Sequence, residues 1–421
     1  MNIDVTLITV FFGAFGLVYL AGLIRMLLRP ARVGKAEANT FSLIVPASNE
    51  ESVIAQTVHS LFALDYPAER FEIVVVDDGS TDRTGEILDG LRPRYGERLQ
   101  VIHVPTEEAR RGKSAALNRA FGHLRANSRF RGRADWVVGI FDADCLADRP
   151  LLRRASFHFL RPEVGGVQSA VRIYNRHRST LARIQDVEFT GFTRAMQMIR
   201  VVLFKSAGFG GNGQFIRAEA LIRAAPPGEP AMYWKEDSLT EDLELNTRVI
   251  LQNWDFEFVA DAGVEQEGVE RIRDLYRQRT RWAWGYLQVF TDYVLRGRLF
   301  THKGTRLGKR LDMLLHLLIF LSSPLVFLTW MLTLFAAVGL IALVNYVPPM
   351  ATLFLTAGFL PIVLYGMLPY RDYRGLRKLR DAFLFGVFAF HWVPCYLRAI
   401  VHMVRRDRPR WLKTPRIAPR V

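Results

Sequence analysis

The amino-acid sequence predicts an α/β protein, in which a parallel-rich sheet forms a globular domain and transmembrane and interfacial helices attach that domain to a bilayer. Within residues 41–295, four short apolar segments rich in β-branched residues alternate with helical patterns, as expected for βαβ units. Two stretches outside this domain, Val5–Ile24 and Met313–Tyr370, contain no Asp, Glu, Lys or Arg. Each is long enough to cross the hydrocarbon core of a membrane, which takes about 20 residues of helix.

The N-terminal apolar stretch predicts one transmembrane helix within residues 1–30. A secretory signal peptide is the alternative, but the stretch is long, starts without a basic residue and is followed by no small-residue cleavage pattern. Arg25, Arg29, Arg32 and Lys35 come directly after it. Because basic residues beside a span mark its cytoplasmic side, we expect the next domain to lie in the cytoplasm, at the cell (plasma or inner) membrane.

The globular domain carries four predicted strands with helices between them. The strands are the apolar segments at residues 41–46, 71–76, 99–104 and 136–141. A Ser-Thr-Asp segment at residues 80–82 predicts the start of a helix that runs to residue 91, because short polar side chains cap helix N-termini. A further helix is predicted over residues 113–124, and interfacial helices are expected to end the domain.

The C-terminal part combines apolar and basic segments. Residues 311–370 are predicted to form two transmembrane helices, separated at the Val-Pro-Pro segment of residues 347–349. Residues 382–404 are also apolar, but a crossing there would leave the basic tail outside the cell. We therefore interpret residues 371–421 as an interfacial or re-entrant helix followed by a basic tail, with a further crossing as the alternative. The chain is thus expected to be a multi-pass membrane protein.

The chain has a formal charge of +15, and a large positive charge is typical of nucleic-acid-binding proteins. The location of the excess basic residues, however, favours another partner. Residues 296–421 hold 19 Lys and Arg residues and 4 Asp and Glu residues, whereas the preceding part of the chain holds 37 of each. The excess lies beside the C-terminal apolar segments, where it favours contact with anionic membrane lipids. No nucleic-acid partner is therefore predicted. The two cysteines, Cys145 and Cys395, predict no disulfide framework.

Two acidic pairs follow predicted strands. Asp77 and Asp78 come after the second strand, and Asp142 and Asp144 come after the fourth. Ligands of doubly wound sheets bind beyond the carboxyl ends of the strands. Residues two apart in an extended chain point to the same side, so Asp142 and Asp144 are expected to converge on one divalent cation, Mg²⁺ or Mn²⁺, that holds a diphosphate. The alternative is a pair of solvated turn acids.

A basic and an acidic segment add further polar groups. Lys113 begins the helix predicted at residues 113–124, and a lysine at a helix N-terminus favours binding of an anion. An ordinary capped helix is the alternative, since the spacing of a complete phosphate-binding loop is absent. The acidic cluster of residues 236–242 includes Glu241 and Asp242, and a carboxylate there can remove the proton of an attacking hydroxyl. Alternatively, these acids simply favour a helix N-terminus.

A motif of Gln278, Arg281 and Trp282 closes the globular domain. An arginine guanidinium group can hold a departing diphosphate, and an indole ring can stack on the face of a sugar. A basic amphipathic helix on the membrane surface is the alternative interpretation. The two are compatible.

Together, these motifs resemble those of the membrane-embedded, processive-type family 2 glycosyltransferases, which include cellulose, chitin, hyaluronan and poly-N-acetylglucosamine synthases. The signature of that family is an acidic pair, an Asp-x-Asp, a Thr-Glu-Asp and a Gln-x-x-Arg-Trp motif, in this order. The corresponding residues of this chain are Asp77-Asp78, Asp142-x-Asp144, Thr240-Glu241-Asp242 and Gln278-x-x-Arg281-Trp282. The resemblance covers nearly the whole chain and implies a GT-A-type nucleotide-sugar-binding domain.

The resemblance implies roles for residues on the donor side of such a site. Asp78 would contact the uridine part of a UDP-sugar, and Asp142 would contact the nucleotide. Asp144 would bind the metal ion, Mg²⁺ or Mn²⁺, and Arg281 would border the donor diphosphate. Lys113, from its place at a helix N-terminus, is expected to bind the donor as well.

On the acceptor side, the resemblance makes Asp242 the catalytic base. Glu241, beside it in the same motif, is the second catalytic candidate. Gln278 and Trp282 would border the acceptor sugar. A C-terminal segment looks similar to the loop that closes over the bound nucleotide in related synthases, and its candidate residues are Trp411, Lys413 and Thr414.

The expected function is that of an inverting hexosyltransferase, which moves a sugar from a UDP-sugar to a growing β-linked polysaccharide of poly-N-acetylglucosamine or glucan type. The alternative is a single transfer to a lipid or other membrane acceptor. A third hypothesis is a membrane receptor that binds a nucleotide without catalysis. Such a receptor would not need a catalytic base, so the candidate base in this chain argues against it. Because the predicted spans are few for a polymer channel, a homo-oligomer or a partner subunit could supply the missing walls.

Overall fold

The computed structural model describes residues 2–28, 32–226, 228, 232–344 and 359–407. Within them, the strands are β1 Asn2–Asp4, β2 Thr40–Ala47, β3 Phe71–Asp77, β4 Leu99–His103, β5 Trp136–Ile140, β6 Leu146–Ala147, β7 Val164–Ile173, β8 Gln214–Arg217, β9 Asp255–Gln266 and β10 Ala342–Val344. The α-helices are α1 Thr6–Leu28, α2 Ile54–Phe62, α3 Thr84–Tyr95, α4 Lys113–Asn127, α5 Leu151–Phe159, α6 Thr180–Val187, α7 Arg194–Phe204, α8 Ala218–Arg223, α9 Glu241–Leu251, α10 Ile272–Phe290, α11 Arg298–Thr301, α12 Leu307–Leu318, α13 Ser322–Ala337, α14 Phe359–Gly366, α15 Gly375–Phe388 and α16 Trp392–Val404.

An eight-stranded sheet forms the centre of the globular domain, in the order β4-β3-β2-β5-β8-β7-β9-β6. The first four strands of this order pair in parallel, as do β7 and β9, whereas β8 and β6 run antiparallel to their neighbours. The predicted α/β fold with a parallel-rich sheet is therefore confirmed. The four predicted strands correspond to β2, β3, β4 and β5, with bounds that differ by at most one residue.

The register of the parallel strands brings the acidic segments to one edge of the sheet. β2 pairs with β3 through Ala47 opposite Asp77, and with β5 through Ile44 opposite Ile140. Asp142 follows the end of β5 by two residues. Because β2 lies between β3 and β5, the loops that leave these two strands flank the same position at the carboxyl edge, where ligands of such sheets bind.

Apolar helices cover both faces of the sheet. Leu43 and Val45 of β2 contact the layer that contains α2, α3 and α5, whereas Ile44 contacts the layer of α4, α8 and α9. This alternation is expected because successive side chains of a strand point to opposite faces. Strands that are apolar on both faces are typical of a parallel sheet buried between helices.

The helix predicted after the second strand begins later than expected. α3 starts at Thr84, and no side chain caps its first turn through the N-cap position. Asp82 still accepts a hydrogen bond from the backbone N–H of Thr84 at 3.0 Å. The Ser80 hydroxyl instead accepts a hydrogen bond from the backbone N–H of Asn49 at 2.9 Å, and so joins two loops at the carboxyl edge. The second predicted helix is confirmed as α4.

Two helical segments of the described chain are long and apolar enough to cross a membrane. One is α1, which corresponds to the predicted N-terminal span, and the other is Gly375–Val404, which contains α15 and α16. α12 and α13 meet the same criterion only as a pair, bent by 52°. The interfacial interpretation of residues 382–404 stays a prediction, and the predicted break at residues 347–349 lies outside the described residues.

Two contacts fix the apolar helices against the globular domain. The Arg200 guanidinium group of α7 donates two hydrogen bonds to the Asp312 carboxylate of α12, at 2.7 and 2.8 Å, and both side chains are buried. On α14, a Cβ added at Gly366 would overlap the carbonyl oxygen of Gly191, which lies in the π-helical segment Glu188–Thr193. The two backbones can approach this closely only because residue 366 is a glycine.

Candidate active site

A cavity of about 640 Å³ lies at the carboxyl edge of the sheet. Side chains from the ends of β3 and β5, from the N-termini of α4 and α9, and from α10 converge on it. The sequence-predicted residues among its lining are Asp78, Lys113, Asp142, Asp144, Glu241, Asp242, Gln278, Arg281 and Trp282. The remaining candidates, Trp411, Lys413 and Thr414, lie outside the described residues.

Lys113, the first residue of α4, connects two of the motifs. Its ammonium group donates hydrogen bonds to Asp142 Oδ1 at 2.6 Å and to the carbonyl oxygen of Gly211 at 3.1 Å. It also lies 3.5 Å from Glu241 Oε1. Burial acts to lower the pKa of Lys113, but the charges of Asp142 and Glu241 outweigh it and raise the pKa above its usual value. Lys113 therefore stays charged and holds the Asp-x-Asp segment beside the Thr-Glu-Asp segment.

Asp242, the second residue of α9, has the most perturbed carboxyl group of the cavity. Burial, together with the charge of Glu241, raises its pKa to about 7 against the opposing charge of Lys113. Asp242 Oδ1 accepts a hydrogen bond from the backbone N–H of Leu243 at 2.8 Å. Gly211 has a φ of +79°, and a Cβ there would lie 3.3 Å from Asp242 Oδ2. A carboxylate with a pKa near neutrality is suited to accept a proton from a reacting group.

Asp142 and Asp144 both line the cavity, but the physical reason predicted for their convergence is wrong. The two residues after Asp142 form a turn rather than extended chain, and the backbone N–H of Cys145 donates to the carbonyl oxygen of Asp142 at 3.0 Å. Asp144 is buried, and its Oδ2 accepts a hydrogen bond from the backbone N–H of Glu267 at 3.0 Å. Among the described residues, no group of three or more His, Cys, Asp or Glu side chains is arranged to hold a metal ion.

Asp78 lies in a loop that also involves Arg110. The backbone N–H of Arg110 donates to Asp78 Oδ1, and its guanidinium group donates to the carbonyl oxygen of Gly79, both at 3.1 Å. Burial raises the pKa of the Asp78 carboxyl, and the hydrogen bond from Arg110 opposes that shift. Residues 46–50, which form the end of β2 and the start of the loop after it, line the same cavity as Asp78.

α10 brings the last motif against the Thr-Glu-Asp segment. A Cβ added at Gly285 would lie within 2.6–2.8 Å of three atoms of Thr240, so the close approach of α10 depends on a glycine at this position. Burial lowers the pKa of Arg281, and the charges of Glu241 and Asp242 oppose that shift. The guanidinium group of Arg281 donates a hydrogen bond to the carbonyl oxygen of Leu239, in the segment before α9, at 3.4 Å.

A buried ion pair lies behind this motif. The Arg279 guanidinium group donates two hydrogen bonds to the Glu188 carboxylate, at 2.6 and 3.0 Å, and both residues are buried. The guanidinium carbon lies 4.3 Å from the ring centre of Trp282 and 5.2 Å from that of Trp392. Cation–π contacts of this kind are stronger in a desolvated setting. Arg279 thus holds two indole rings while its charge is neutralised by Glu188.

Part of the cavity is lined by residues that sequence reasoning missed. They come from the π-helical segment between α6 and α7, from α10, and from the apolar helices α12 and α16. The sequence gives little indication of these residues. A π-helical turn cannot be read from residue spacing, and two aromatic residues four positions apart indicate one face of a helix but not what packs against it. We call this part the membrane-side chamber and define it by six residues: Phe189, Thr193, Tyr286, His316, Trp392 and Tyr396.

The mixed, largely parallel sheet with acidic motifs at its carboxyl edge defines a GT-A-like α/β fold. A family model described as glycosyltransferase-like family 2 matches residues 38–285. The chain belongs to this family and is a glycosyltransferase. The fold class, the enzyme class and the family-level part of the resemblance are therefore confirmed.

Two similar proteins are named beta-monoglucosyldiacylglycerol synthase. The one from Synechocystis sp. is 37% identical over 251 residues, which cover 60% of this chain and 48% of that protein. The one from Nostoc sp. is 30% identical over 394 residues, which cover 89% of this chain and 75% of that protein. The match thus spans about half of the first relative and three quarters of the second.

One solved structure of similar fold is that of a mannosyltransferase from Pyrobaculum calidifontis in complex with GDP-Man and Mn²⁺. The TM-score is 0.57, and the match covers 92% of this chain and 98% of the other. The sequence identity of 22% is low, so the likeness concerns the fold alone.

Proposed function

We propose that this protein transfers a single hexose from a nucleotide sugar to a hydroxyl group of a membrane lipid. The observation that carries this proposal is a cavity that contains both the acidic motifs and residues of the apolar helices α12 and α16. The relatives named beta-monoglucosyldiacylglycerol synthase support a lipid acceptor and a glucosyl donor over the growing polysaccharide expected from the motifs. UDP-glucose and diacylglycerol are therefore the first substrates to test.

The apolar helices are proposed to hold the catalytic domain at the cytoplasmic face of the cell membrane. Leu7 and Leu17 of α1 are 86% and 71% exposed, and Leu397 and Val404 of α16 are 61% and 78% exposed. Large exposed apolar surfaces of this kind are typical of contact with a membrane or a partner. The basic residues that follow α1 support the cytoplasmic orientation.

In the proposed reaction, the acceptor hydroxyl oxygen attacks the anomeric carbon of the donor while Asp242 accepts the hydroxyl proton. The bond between that carbon and the diphosphate oxygen breaks, and the nucleoside diphosphate leaves. Because attack and departure occur on opposite faces of the sugar, an α-linked donor gives a β-linked product. Arg281 is proposed to stabilise the negative charge that develops on the leaving diphosphate.

The other cavity residues are proposed to position the two substrates. Asp78 and Asp142 would contact the nucleotide, and Gln278 and Trp282 would contact the acceptor. The ammonium group of Lys113 is paired with two carboxylates, so we propose that it fixes these acids as well as facing the donor.

Asp142 and Asp144 fit a divalent cation that is shared with the donor. Mg²⁺ is commonly held by one or two carboxylates together with phosphate oxygens and water, rather than by a cage of protein ligands. Two carboxylates that line the cavity match that donor set. When bound, such a cation neutralises charge on the diphosphate. We propose Asp144 as its main protein ligand, with either Mg²⁺ or Mn²⁺.

Product analysis with the purified full-length protein tests the proposed function. The protein is incubated with diacylglycerol and labelled UDP-glucose, UDP-N-acetylglucosamine or GDP-mannose, with Mg²⁺, with Mn²⁺ or with EDTA. We expect one labelled lipid that carries a single sugar, formed with a cation and lost with EDTA. Long carbohydrate chains made from the labelled donor would contradict the proposal and favour polymer synthesis.

The rate of transfer should rise with pH through about 7, because Asp242 acts as a base only when its carboxyl group is deprotonated. Below that pH, kcat/KM should fall about tenfold per pH unit, and above it the rate should level off. Since the charge of Glu241 raises the pKa of Asp242, the Glu241→Gln variant should shift the profile to lower pH. Initial rates measured from about pH 5 to pH 9 check both points. A profile that falls as the pH rises through 7 contradicts the assignment of the base.

A further inference from the structure

We propose that the membrane-side chamber binds the polar end of the acceptor lipid, that Trp392 and Tyr396 are its contact residues on α16, and that it selects an uncharged lipid hydroxyl. This inference rests on the proposed function and names the place and the class of the acceptor. Neither residue belongs to the four motifs.

α16 separates the chamber from an exposed apolar surface. Trp392 and Tyr396 line the cavity, whereas Leu397 and Val401, on the opposite side of the same helix, are 61% and 45% exposed. An α-helix with its side chains is about 10–12 Å across. A single helix therefore lies between the apolar outer surface and the chamber. A lipid whose chains lie along that surface would have to move its polar end only past α16 to reach the cavity.

The chamber adjoins the proposed acceptor motif. The guanidinium group of Arg279 lies between the rings of Trp282 and Trp392, and this contact links α10 to α16. Trp282 and Asp242 line the same cavity as Trp392. An indole ring combines a large apolar surface with one N–H donor, a combination found where one side of a site is apolar and the other polar. That chemistry fits the glycerol and ester region of a lipid.

Charge determines which class of lipid the chamber fits. Its six defining residues include no lysine or arginine, and the nearby Arg279 is neutralised by Glu188. In the rest of the cavity lining, Asp242 and Glu241 are acidic, and the cations Arg110, Lys113 and Arg281 belong to the segments proposed to hold the donor. A lipid phosphate would lose its hydration there without meeting a counter-charge, which is unfavourable. The chamber therefore fits an uncharged hydroxyl lipid better than a polyprenyl phosphate.

Photo-crosslinking of the full-length protein in lipid nanodiscs tests this proposal. The probe is a diacylglycerol with a diazirine next to the glycerol, and the labelled peptides are mapped by mass spectrometry. Fragmentation of those peptides should place the label on Phe189, Trp392 or Tyr396 rather than on Leu397. Unlabelled diacylglycerol should displace the probe, whereas polyprenyl phosphate should not.

The Trp392→Ala variant should show less labelling and about a tenfold higher KM for the lipid, with an unchanged KM for the donor. Leu397→Ala, on the exposed face of the same helix, is the matched control and should change neither KM. The labelling map of the wild-type protein tests the chamber even if Trp392→Ala fails to fold.

Label confined to the opposite, exposed side of α16, at Leu397 and Val401, would overturn the proposal. Equal displacement by polyprenyl phosphate would overturn the selection of an uncharged lipid, and a Trp392→Ala variant with an equally raised donor KM would overturn the acceptor role. Failure of the proposed function has a different signature. A wild-type protein that is labelled in the chamber but makes no glycolipid would support the chamber and contradict the transfer.

Discussion

The Asp242→Asn variant is expected to transfer sugar about 10²–10⁴ times more slowly than the wild-type protein. Asparagine has nearly the shape of aspartate, and its amide oxygen can still accept the hydrogen bond from the backbone N–H of Leu243. It cannot accept the proton of the acceptor hydroxyl at neutral pH, so the attacking oxygen stays a poor nucleophile. The turnover number is measured with labelled donor, and donor affinity is measured separately by calorimetry and should stay near the wild-type value.

Asp237 offers a matched control within the same acidic cluster. Its side chain is 72% exposed, and its nearest cation, Lys235, lies 3.6 Å away. Asp237→Asn removes the same charge from the cluster without touching the cavity lining, so transfer should stay within about twofold of the wild-type rate. An Asp242→Asn protein that keeps more than about a tenth of the wild-type turnover would rule out Asp242 as the base.

The Arg200→Met variant is expected to lose about 3–5 kcal/mol of the free energy of unfolding. Arg200 and Asp312 are both buried and joined by two hydrogen bonds, so the substitution leaves a buried carboxylate without its cation. The loss is large because the desolvation of that charge is no longer compensated. Denaturant unfolding of the protein in detergent micelles, followed by tryptophan fluorescence, measures it.

A second substitution separates the cost of an unpaired charge from the value of the pair. The Arg200→Met/Asp312→Leu protein contains no unpaired charge at this position, and should recover most of the loss. Arg296, paired with Asp292 but 63% exposed, provides the surface comparison, and Arg296→Met should cost less than about 1 kcal/mol. A double variant as unstable as the single one would show that packing, rather than the buried charge, determines the loss.

The strands and the convergence of the motifs were predictable from sequence because both depend on local patterns. Apolar segments rich in β-branched residues defined β2 to β5, and parallel pairing brings the ends of neighbouring strands together. The placement of Asp78 and Asp142 in one cavity follows from that rule, whereas Asp242, at the start of α9, was expected there only from the family resemblance. The pairing of Lys113 with two acids from different segments did not follow, since it depends on how α4 and α9 pack against each other.

The part of the cavity wall that α16 forms was beyond sequence reasoning for a physical reason. Trp392 and Tyr396 lie more than 100 residues after the last motif, and what they contact depends on how α16 packs against α10. The sequence showed Gly285 only as a residue near the last motif. It did not indicate that the absence of a side chain at this position allows α10 to contact Thr240. The Asp142–Asp144 pair shows the reverse case: both residues line the cavity, although the extended geometry from which their convergence was predicted is not adopted.

The family match ends at residue 285, but helices beyond that point supply part of the cavity wall. A water-soluble fragment trimmed to the matched region would lack His316, Trp392 and Tyr396, and would open its reaction centre to bulk water. Such a fragment should release free sugar where the intact enzyme is proposed to make a glycolipid. Inhibitor screens on it would select compounds against a cavity that lacks the wall residues from α12 and α16.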